Sequence, residues 1–159
     1  MEGMSISFEN FAFVKAAGEE RYKSFTPVRC PYFNELVHFN AQGLEHLKFK
    51  RGGVERLPQD QYMRFKLLHL APEILKLSRT VQGIMRTRSL ERMHTNGRHN
   101  WEMLPTIFYE FIAVVDDVRV RVVVKKTLNG PLIFCSIIPF WKNAQGGTRQ
   151  LFDQSLRDD

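Results

Sequence analysis

Residues 118–126 read VRVRVVVKK, and this stretch decides the fold. Its apolar and charged residues alternate, which is typical of a β-strand whose successive side chains point to opposite faces of a sheet. Arg119, Arg121 and Lys125 therefore fall on one face of the predicted strand. The stretch predicts a strand with one apolar and one charged face.

Turn signals on both sides place this strand in an antiparallel meander. Asp116-Asp117 predicts a tight turn before it, and Asn129-Gly130 predicts a hairpin turn after it. The flanking apolar runs predict two further strands, over 107–115 and 132–138. The carboxyl half of the chain is therefore expected to form a sheet of about three strands.

The polar segment 86–104 precedes this meander and shows no hydrophobic period. It contains Asn96-Gly97, which is a turn signal. We predict a flexible surface loop. The functional alternative is a basic loop that contacts RNA, with Trp101 as a stacking platform for bases.

The half of the chain before this segment has helical patterns. Asn40 is suited to cap a helix over 41–50, which the Gly52-Gly53 pair ends. Pro58 is suited to the first turn of a second helix, over 59–70, and a short third helix follows at 73–77. His69 lies between leucines and is predicted to be a hydrogen-bonded core residue.

The order of these elements predicts an α+β fold in which N-terminal helices pack on one face of an antiparallel β-meander. We divide the chain into an accessory N-terminal region (1–37), an α+β domain (38–142) and a flexible or weakly helical tail (143–159). Within the first region, residues 6–14 could form a strand or a short helix, and residues 25–37 are expected to be extended and rich in turns.

Composition limits the class of protein. The 159 residues are 43% hydrophobic and carry a net charge of +6, which excludes a fully disordered chain and favours a polyanionic partner. Residues 48–98 hold twelve Lys or Arg against four Asp or Glu, so the positive charge is concentrated there.

Other features argue against a membrane, a metal or a cofactor. No window approaches the about 20 apolar residues of a membrane span, and the N-terminus lacks the pattern of a signal peptide. Cys30 and Cys135 have no partner at zinc-ligand spacing, and two cysteines suit a reducing compartment. We therefore expect a soluble, cytoplasmic protein without metal or cofactor.

The stretch 40–51, NAQGLEHLKFKR, carries the residues best suited to chemistry. His46 and Lys50 are four residues apart and so share one face of the predicted helix, and Arg51 follows at its end. An imidazole can take or give a proton near neutral pH, and cations can clamp a phosphate. The same residues would equally suit an RNA-binding patch, and a lone histidine is more often structural.

This chain resembles the superfamily that groups barnase, EndoU, colicin-type tRNases and RelE-type toxins (the BECR fold), and in particular its phage-associated branch. The resemblance covers about 38–142. It consists of Glu45-His46-Leu47 with the following Lys50-Arg51, the turn Leu70-Ala71-Pro72, and a basic meander whose last strand carries Ser136 and Pro139. Several members have a second histidine after the arginine, where this chain has Gly52.

The resemblance implies a metal-independent endoribonuclease, the toxin of a toxin–antitoxin or immunity system, that cleaves RNA by attack of the 2′-hydroxyl. The expected partners are RNA and an acidic antitoxin or immunity protein. The predicted catalytic residues are His46, Lys50, Arg51, Arg121 and Ser136. The predicted RNA-binding residues are Lys48, Arg64, Arg79, Trp101, Arg119 and Lys125.

Two other functions stay open from the sequence. One is a nucleic-acid-binding module without catalysis. The other is an interaction protein of a mobile element, docking through Phe8, Phe11 and Phe13.

Overall fold

The computed structural model describes residues 8–50, 52–95 and 97–139, with the side chains of Phe8 and of residues 93–95 left undescribed. These residues form an α+β fold, as the sequence predicts. In chain order the elements are α1 (Phe8–Lys23), β1 (Val28–Cys30), β2 (Glu35–His38), α2 (Ala41–Lys48), α3 (Pro58–Leu67), a 3-10 turn (Leu68–Leu70), α4 (Ala71–Leu77), β3 (Gly83–Thr95), β4 (Arg98–Val115), β5 (Val118–Thr127) and β6 (Leu132–Pro139). The predicted tail, 143–159, lies outside the described residues.

One six-stranded sheet has the order β1-β2-β6-β5-β4-β3. The strands β4 to β6 form the predicted three-stranded antiparallel meander, with Phe111 opposite Val122 and Val122 opposite Ile137. Among the described strands, the parallel pairing is between β2 and β6, where Val37 lies opposite Leu132. The sheet is wider than expected from the sequence, because β3 extends it beyond β4 and the N-terminal hairpin extends it beyond β6.

Both predicted turns of the meander are confirmed. Asp116 and Asp117 both have positive φ, 50° and 63°, as a tight two-residue hairpin turn requires. Asn129 has a φ of 61° and precedes Gly130, whose N–H bonds the carbonyl of Thr127. These turns fix the register that places the cations of β5.

The predicted loop over 86–104 is wrong. This segment forms the outer part of β3 and β4, which pair continuously from Gly83–Glu110 to Thr95–Arg98. The predicted position of the turn is correct, since Gly97 has a φ of 76° at the tip of the β3–β4 hairpin. A long hairpin escapes a search for hydrophobic alternation when neither face of its outer part is fully buried, because polar residues then occur on both faces.

The helix starts are largely as predicted. The side chain of Asn40 accepts a hydrogen bond from the Gly43 N–H at 3.2 Å and so caps α2. Helix α2 ends at Lys48, earlier than predicted, because Phe49 is already extended. Pro58 occupies the first turn of α3. His69 is exposed, so its predicted core position is wrong.

Helix α2 lies unusually close to β6. A Cβ atom on Gly43 would come within 2.5 Å of both the Phe134 carbonyl oxygen and the Tyr22 hydroxyl. Tyr22 in turn donates a hydrogen bond to the Asn40 carbonyl at 2.5 Å. Only glycine permits this approach, and the approach positions His46 one turn further along the helix.

The main core lies between the helices and the sheet face that carries Val120, Val122 and Val124. Residues of the N-terminal region belong to it, including Tyr22 and Val37. Residues 8–38 thus share the core of the following domain. The ambiguous segment 6–14 is helical from residue 8, and the extended segment 25–37 holds β1 and β2.

Candidate functional site

A cleft of about 530 Å³ opens between α2 and the sheet. Helix α2 contributes His46, Gln42 and Gly43, and the loop after it contributes Gly52. The strands contribute the remaining side chains, namely Ser89, Leu90, Glu91, Trp101, Phe108, Lys125, Ile133, Phe134 and Cys135. Three of the predicted site residues, His46, Lys125 and Trp101, thus lie around one cavity.

His46 is half-buried at the edge of this cleft. Its Nε2 lies 3.3 Å from Nη2 of Arg56, and the Arg56 Nε donates to the His46 carbonyl at 2.9 Å. A guanidinium can only donate hydrogen bonds, so Nε2 is the acceptor and the imidazole is neutral in this arrangement. The basic nitrogen of His46 is therefore engaged by a buried cation.

Arg56 begins a chain of buried polar groups that runs to β6. It contacts Asp60 at 3.4 Å, and Asp60 contacts the Arg64 Nε at 2.6 Å. Arg64 then donates from Nη1 to the hydroxyl oxygen of Ser136. The chain connects His46 with Ser136, although the two residues lie at opposite ends of the predicted domain in sequence.

On the opposite side of the cleft, Lys125 and Glu91 form an ion pair. The Lys125 ammonium lies 2.5 Å from Oε1 of Glu91, which also accepts a hydrogen bond from the Ser89 hydroxyl at 2.8 Å. The Ser89 hydroxyl is 2.5 Å from that of Thr106. Glu91 and His46 are the carboxylate and the imidazole that line this cavity.

The sequence predicts Arg121 on an exposed, charged face, and this prediction is wrong. The Arg121 side chain is 1% exposed and forms an ion pair with Glu110 at 2.9 Å. Arg119, two residues earlier, is exposed. The strand alternates as predicted, but β5 lies inside the sheet, where an ion pair offsets part of the cost of burying the charge.

The other predicted cations are spread over the molecule. Lys50 is exposed, and Arg51 lies outside the described residues. Lys48 contacts Glu45 at 3.1 Å and Glu19 at 3.4 Å. Although partial burial lowers the pKa of Lys48, these two carboxylates outweigh it and leave that pKa above its ordinary value.

Two further predicted RNA-binding residues differ in exposure. Arg64 is buried in the polar chain, so its guanidinium is a structural donor here and its predicted exposure to RNA is wrong. Arg79 is exposed beside a separate groove, between α4 and β4. Neither side chain lines the cleft with His46.

Sequence reasoning missed four residues that shape this site, namely Arg56, Asp60, Ser89 and Glu91. Asp60 lies four residues before Arg64, which is the spacing of a helical ion pair and was a usable signal. Ser89 and Glu91 are two residues apart on β3, but this signal required 86–95 to be recognised as a strand. Arg56 precedes α3, and only the tertiary structure brings it to His46.

Gly52 also lines the cleft, with a φ of 87°. A glycine contributes no side chain to the cavity, so any proton transfer there would rest on other groups.

Comparison with models of protein families, with curated proteins and with solved structures finds no match to this chain. In the described part of the chain, no helix is both long and apolar enough to cross a membrane. Over the same residues, no group of three or more His, Cys, Asp or Glu side chains could hold a metal ion.

Of the phenylalanines considered for docking, Phe13 is largely exposed, and Phe11 is half-buried with the Lys15 ammonium 5.8 Å from its ring centre. The side chain of Phe8 lies outside the described part of the molecule. No continuous aromatic surface can be assigned to these three residues.

Proposed function

We propose that this chain is a metal-independent endoribonuclease, the toxin of a toxin–antitoxin or immunity system, and that RNA is cleaved in the cleft of His46. One observation carries the proposal. An imidazole from α2 and an ammonium from β5 line the same cavity, and the imidazole connects through Arg56, Asp60 and Arg64 to Ser136. The resemblance of the sequence to ribonuclease toxins supports the same reaction.

The reaction requires three changes at one phosphodiester. The 2′-hydroxyl loses its proton and its oxygen attacks phosphorus, the bond from phosphorus to the 5′-oxygen breaks, and the 5′-oxygen gains a proton. The products are a 2′,3′-cyclic phosphate and a 5′-hydroxyl. In the proposal His46 takes the 2′ proton, Lys125 neutralises the extra charge on the phosphorane, and water protonates the 5′-oxygen.

Arg56 has a defined part in this scheme. Its contact with Nε2 of His46 fits a neutral imidazole, which is the form able to accept a proton. Arg56 is buried and does not line the cleft, so it acts on the reaction only through His46. Release of this contact when substrate binds would free Nε2 to accept the 2′ proton.

Glu91 is the alternative proton acceptor in the same cavity. Its Oε1 is already bound by Lys125 and Ser89, so its carboxylate is held in place. Substituting His46 and Glu91 separately distinguishes the two assignments. The variant that retains cleavage identifies the residue that is not the base.

The test is cleavage of total RNA by purified protein in excess EDTA. Wild-type protein is expected to give discrete fragments with 2′,3′-cyclic phosphate ends. His46→Ala should slow cleavage by about 10²–10⁴-fold, which is the usual cost of losing an acid–base group. His69→Ala is the matched control, because His69 is exposed and its ring lies 3.0 Å from the Lys66 carbonyl, away from the cleft.

The same variants test toxicity. Induction of the wild-type chain in a bacterium should arrest growth, and His46→Ala should relieve the arrest while His69→Ala should not. Co-expression of an acidic cognate partner should also relieve it. Cleavage that disappears in EDTA, or wild-type rates in folded His46→Ala, would refute this proposal.

A nucleic-acid-binding module without catalysis is the second candidate. It is favoured by the ion pair of Lys125 with Glu91, because the carboxylate weakens the stabilisation that the ammonium could give to a phosphorane. Exposed cations outside the cleft, such as Lys50 and Arg79, could still bind phosphates. RNA binding without any cleavage product would select this candidate.

A further inference from the structure

The outer part of the β3–β4 hairpin presents a face that the proposed reaction does not use. The described side chains of β3 alternate between half-buried and exposed. From Arg88 to Arg92, the exposed set pairs across the ladder with exposed residues of β4. Arg92 lies opposite Trp101, and Leu90 lies opposite Met103. We call this the arm face, consisting of Arg86, Arg88, Leu90, Arg92, Trp101 and Met103.

The arm face is positively charged. It carries three arginines and no acidic residue, since Glu91 points to the other side of β3 and pairs with Lys125. Arg86 and Arg92 have no acidic partner among the described side chains. Same-face residues two apart on a strand lie about 6.6 Å from each other, so Arg86 and Arg88 form a regular basic row.

The same face exposes large apolar side chains beside the arginines. Trp101 is 64% exposed, Leu90 is 56% exposed and Met103 is 51% exposed. A basic row with an exposed indole is the combination that single-stranded nucleic acids require, because unstacked bases cover aromatic rings while cations contact the backbone. In a duplex the bases are already stacked on each other and inaccessible to Trp101.

The arm face is continuous with the cleft. Trp101 and Leu90 belong to the arm face and also line the cavity that holds His46 and Lys125. A strand lying along the hairpin would therefore reach the cleft at these two residues.

We propose that the arm face binds single-stranded RNA and leads it into the cleft, so that the substrate is an unpaired segment several nucleotides long. The choice of RNA as the strand rests on the proposed function. The binding itself requires no catalysis and can be measured separately.

The binding test uses His46→Ala protein, which leaves the probe intact, and a labelled oligouridylate of about 12 nucleotides followed by fluorescence anisotropy. Adding Trp101→Ala should weaken binding by about 5- to 150-fold, the effect of losing one stacked base. Trp101→Phe should restore most of the affinity. Adding Arg86→Ala and Arg92→Ala should reduce the salt dependence by about 0.7 in log–log slope for each lost phosphate contact.

Matched controls use exposed residues elsewhere. Arg21→Ala with Lys76→Ala removes the same net charge from α1 and α4, and Phe13→Ala removes an exposed ring from α1. Equal losses in these controls would overturn the proposal, because charge or apolar area in general would then explain the binding. Duplex RNA bound as tightly as the single strand would overturn it as well.

Cleavage separates this proposal from the proposed function. The dinucleotide UpA is too short to reach from the cleft along the arm. The variant with Arg86→Ala and Arg92→Ala, neither of which lines the cleft, should therefore cleave UpA at the wild-type rate and a long single strand more slowly. No cleavage of either substrate by wild-type protein, with arm-dependent binding intact, would refute the nuclease and leave the arm face supported. Cleavage with no arm-dependent binding would refute the arm face alone.

Discussion

Strands β5 and β3 each carry three cations at even spacings on one face, yet two of the three on β5 are buried and all three on β3 are exposed. On β5, Arg121 and Lys125 are buried against the carboxylates of Glu110 and Glu91. On β3 the three arginines of the arm face are exposed.

The position of each strand in the sheet explains the difference. β5 has neighbours on both sides, β6 and β4, whereas β3 is an edge strand. Buried cations require acidic partners and become part of the architecture, while exposed cations on an edge discourage aggregation and can meet a ligand. A period of two in the sequence therefore predicts which face of a strand carries a cation. The neighbouring strands determine whether that cation is buried in an ion pair or exposed to a ligand.

The sharpest test of this comparison is Arg121→Ala. Removing the guanidinium leaves Glu110 without its buried partner, so the free energy of unfolding should fall by about 3–5 kcal/mol. Urea denaturation of the variant measures this loss. Arg121→Met combined with Glu110→Leu should lose less than Arg121→Ala, because no unpaired charge remains. A loss of under about 1 kcal/mol in Arg121→Ala would show that the ion pair is not structural.

Substitutions at two glycines extend the comparison, because Gly43 lies in the packed part of the molecule and Gly97 lies at the tip of the β3–β4 hairpin. A methyl group on Gly43 would collide with the backbone of Phe134 and with Tyr22, so Gly43→Ala should cost about 1–3 kcal/mol. It should also displace His46 and lower RNA cleavage. A Cβ atom on Gly97 would meet no described atom within 4 Å, and Asn tolerates the positive φ, so Gly97→Asn should be nearly neutral in thermal unfolding.

The buried residue Tyr22 should make the free energy of unfolding depend on alkaline pH, which the exposed arginines of the arm face should not do. Burial raises the pKa of the Tyr22 phenol above its ordinary value of 10.0. The folded pKa exceeds the unfolded one, so this contribution to stability is complete below pH 10 and decreases above it. Between about pH 10 and 11, the free energy of unfolding should fall by about 1 kcal/mol through this group.

Tyr22→Phe is the matched variant for that measurement. It should be less stable at neutral pH by about 1 kcal/mol, since the hydrogen bond to the Asn40 carbonyl is lost. Its decline above pH 10 should be shallower than that of the wild type. Identical declines would mean that other groups, such as Tyr109 or Cys30, whose pKa values burial also raises, account for the effect.

The smallest effect is expected on the arm. Arg86→Ala with Arg92→Ala should change the free energy of unfolding by under about 0.5 kcal/mol, as is usual for exposed side chains without structural partners. Chemical denaturation checks this. A loss comparable to that of Arg121→Ala would remove the distinction between the two strands.

Local sequence patterns predicted the parts of the fold that depend on neighbours in the chain. The turns at Asp116-Asp117 and Asn129-Gly130 and the cap at Asn40 are set by local backbone chemistry, and all three are confirmed. The strand predicted from VRVRVVVKK is confirmed too. The alternation of apolar and charged residues is a local pattern that does not depend on which strands lie beside it.

What the sequence could not predict depends on long-range pairing. Nothing local indicates that β2 pairs with β6, or that Arg121 has Glu110 beside it across the ladder. The approach of Arg56 to His46 likewise exists only after α2 and α3 have packed. Of the candidate site, the choice of His46 and Lys125 came from sequence, and their carboxylate and guanidinium partners came from the structure.

The position of β6 in the sheet limits the order in which the strands can pair while the chain is synthesised on the ribosome. β6 is the last described strand, and it separates β2 from β5, so residues 35–38 have no strand partner from the meander until 132–133 have been made. β6 also supplies one wall of the cleft. A nascent chain ending before residue 132 should therefore lack the cavity. We expect proteases to cleave residues 28–38 readily in such arrested chains, and protection there would contradict this order of assembly.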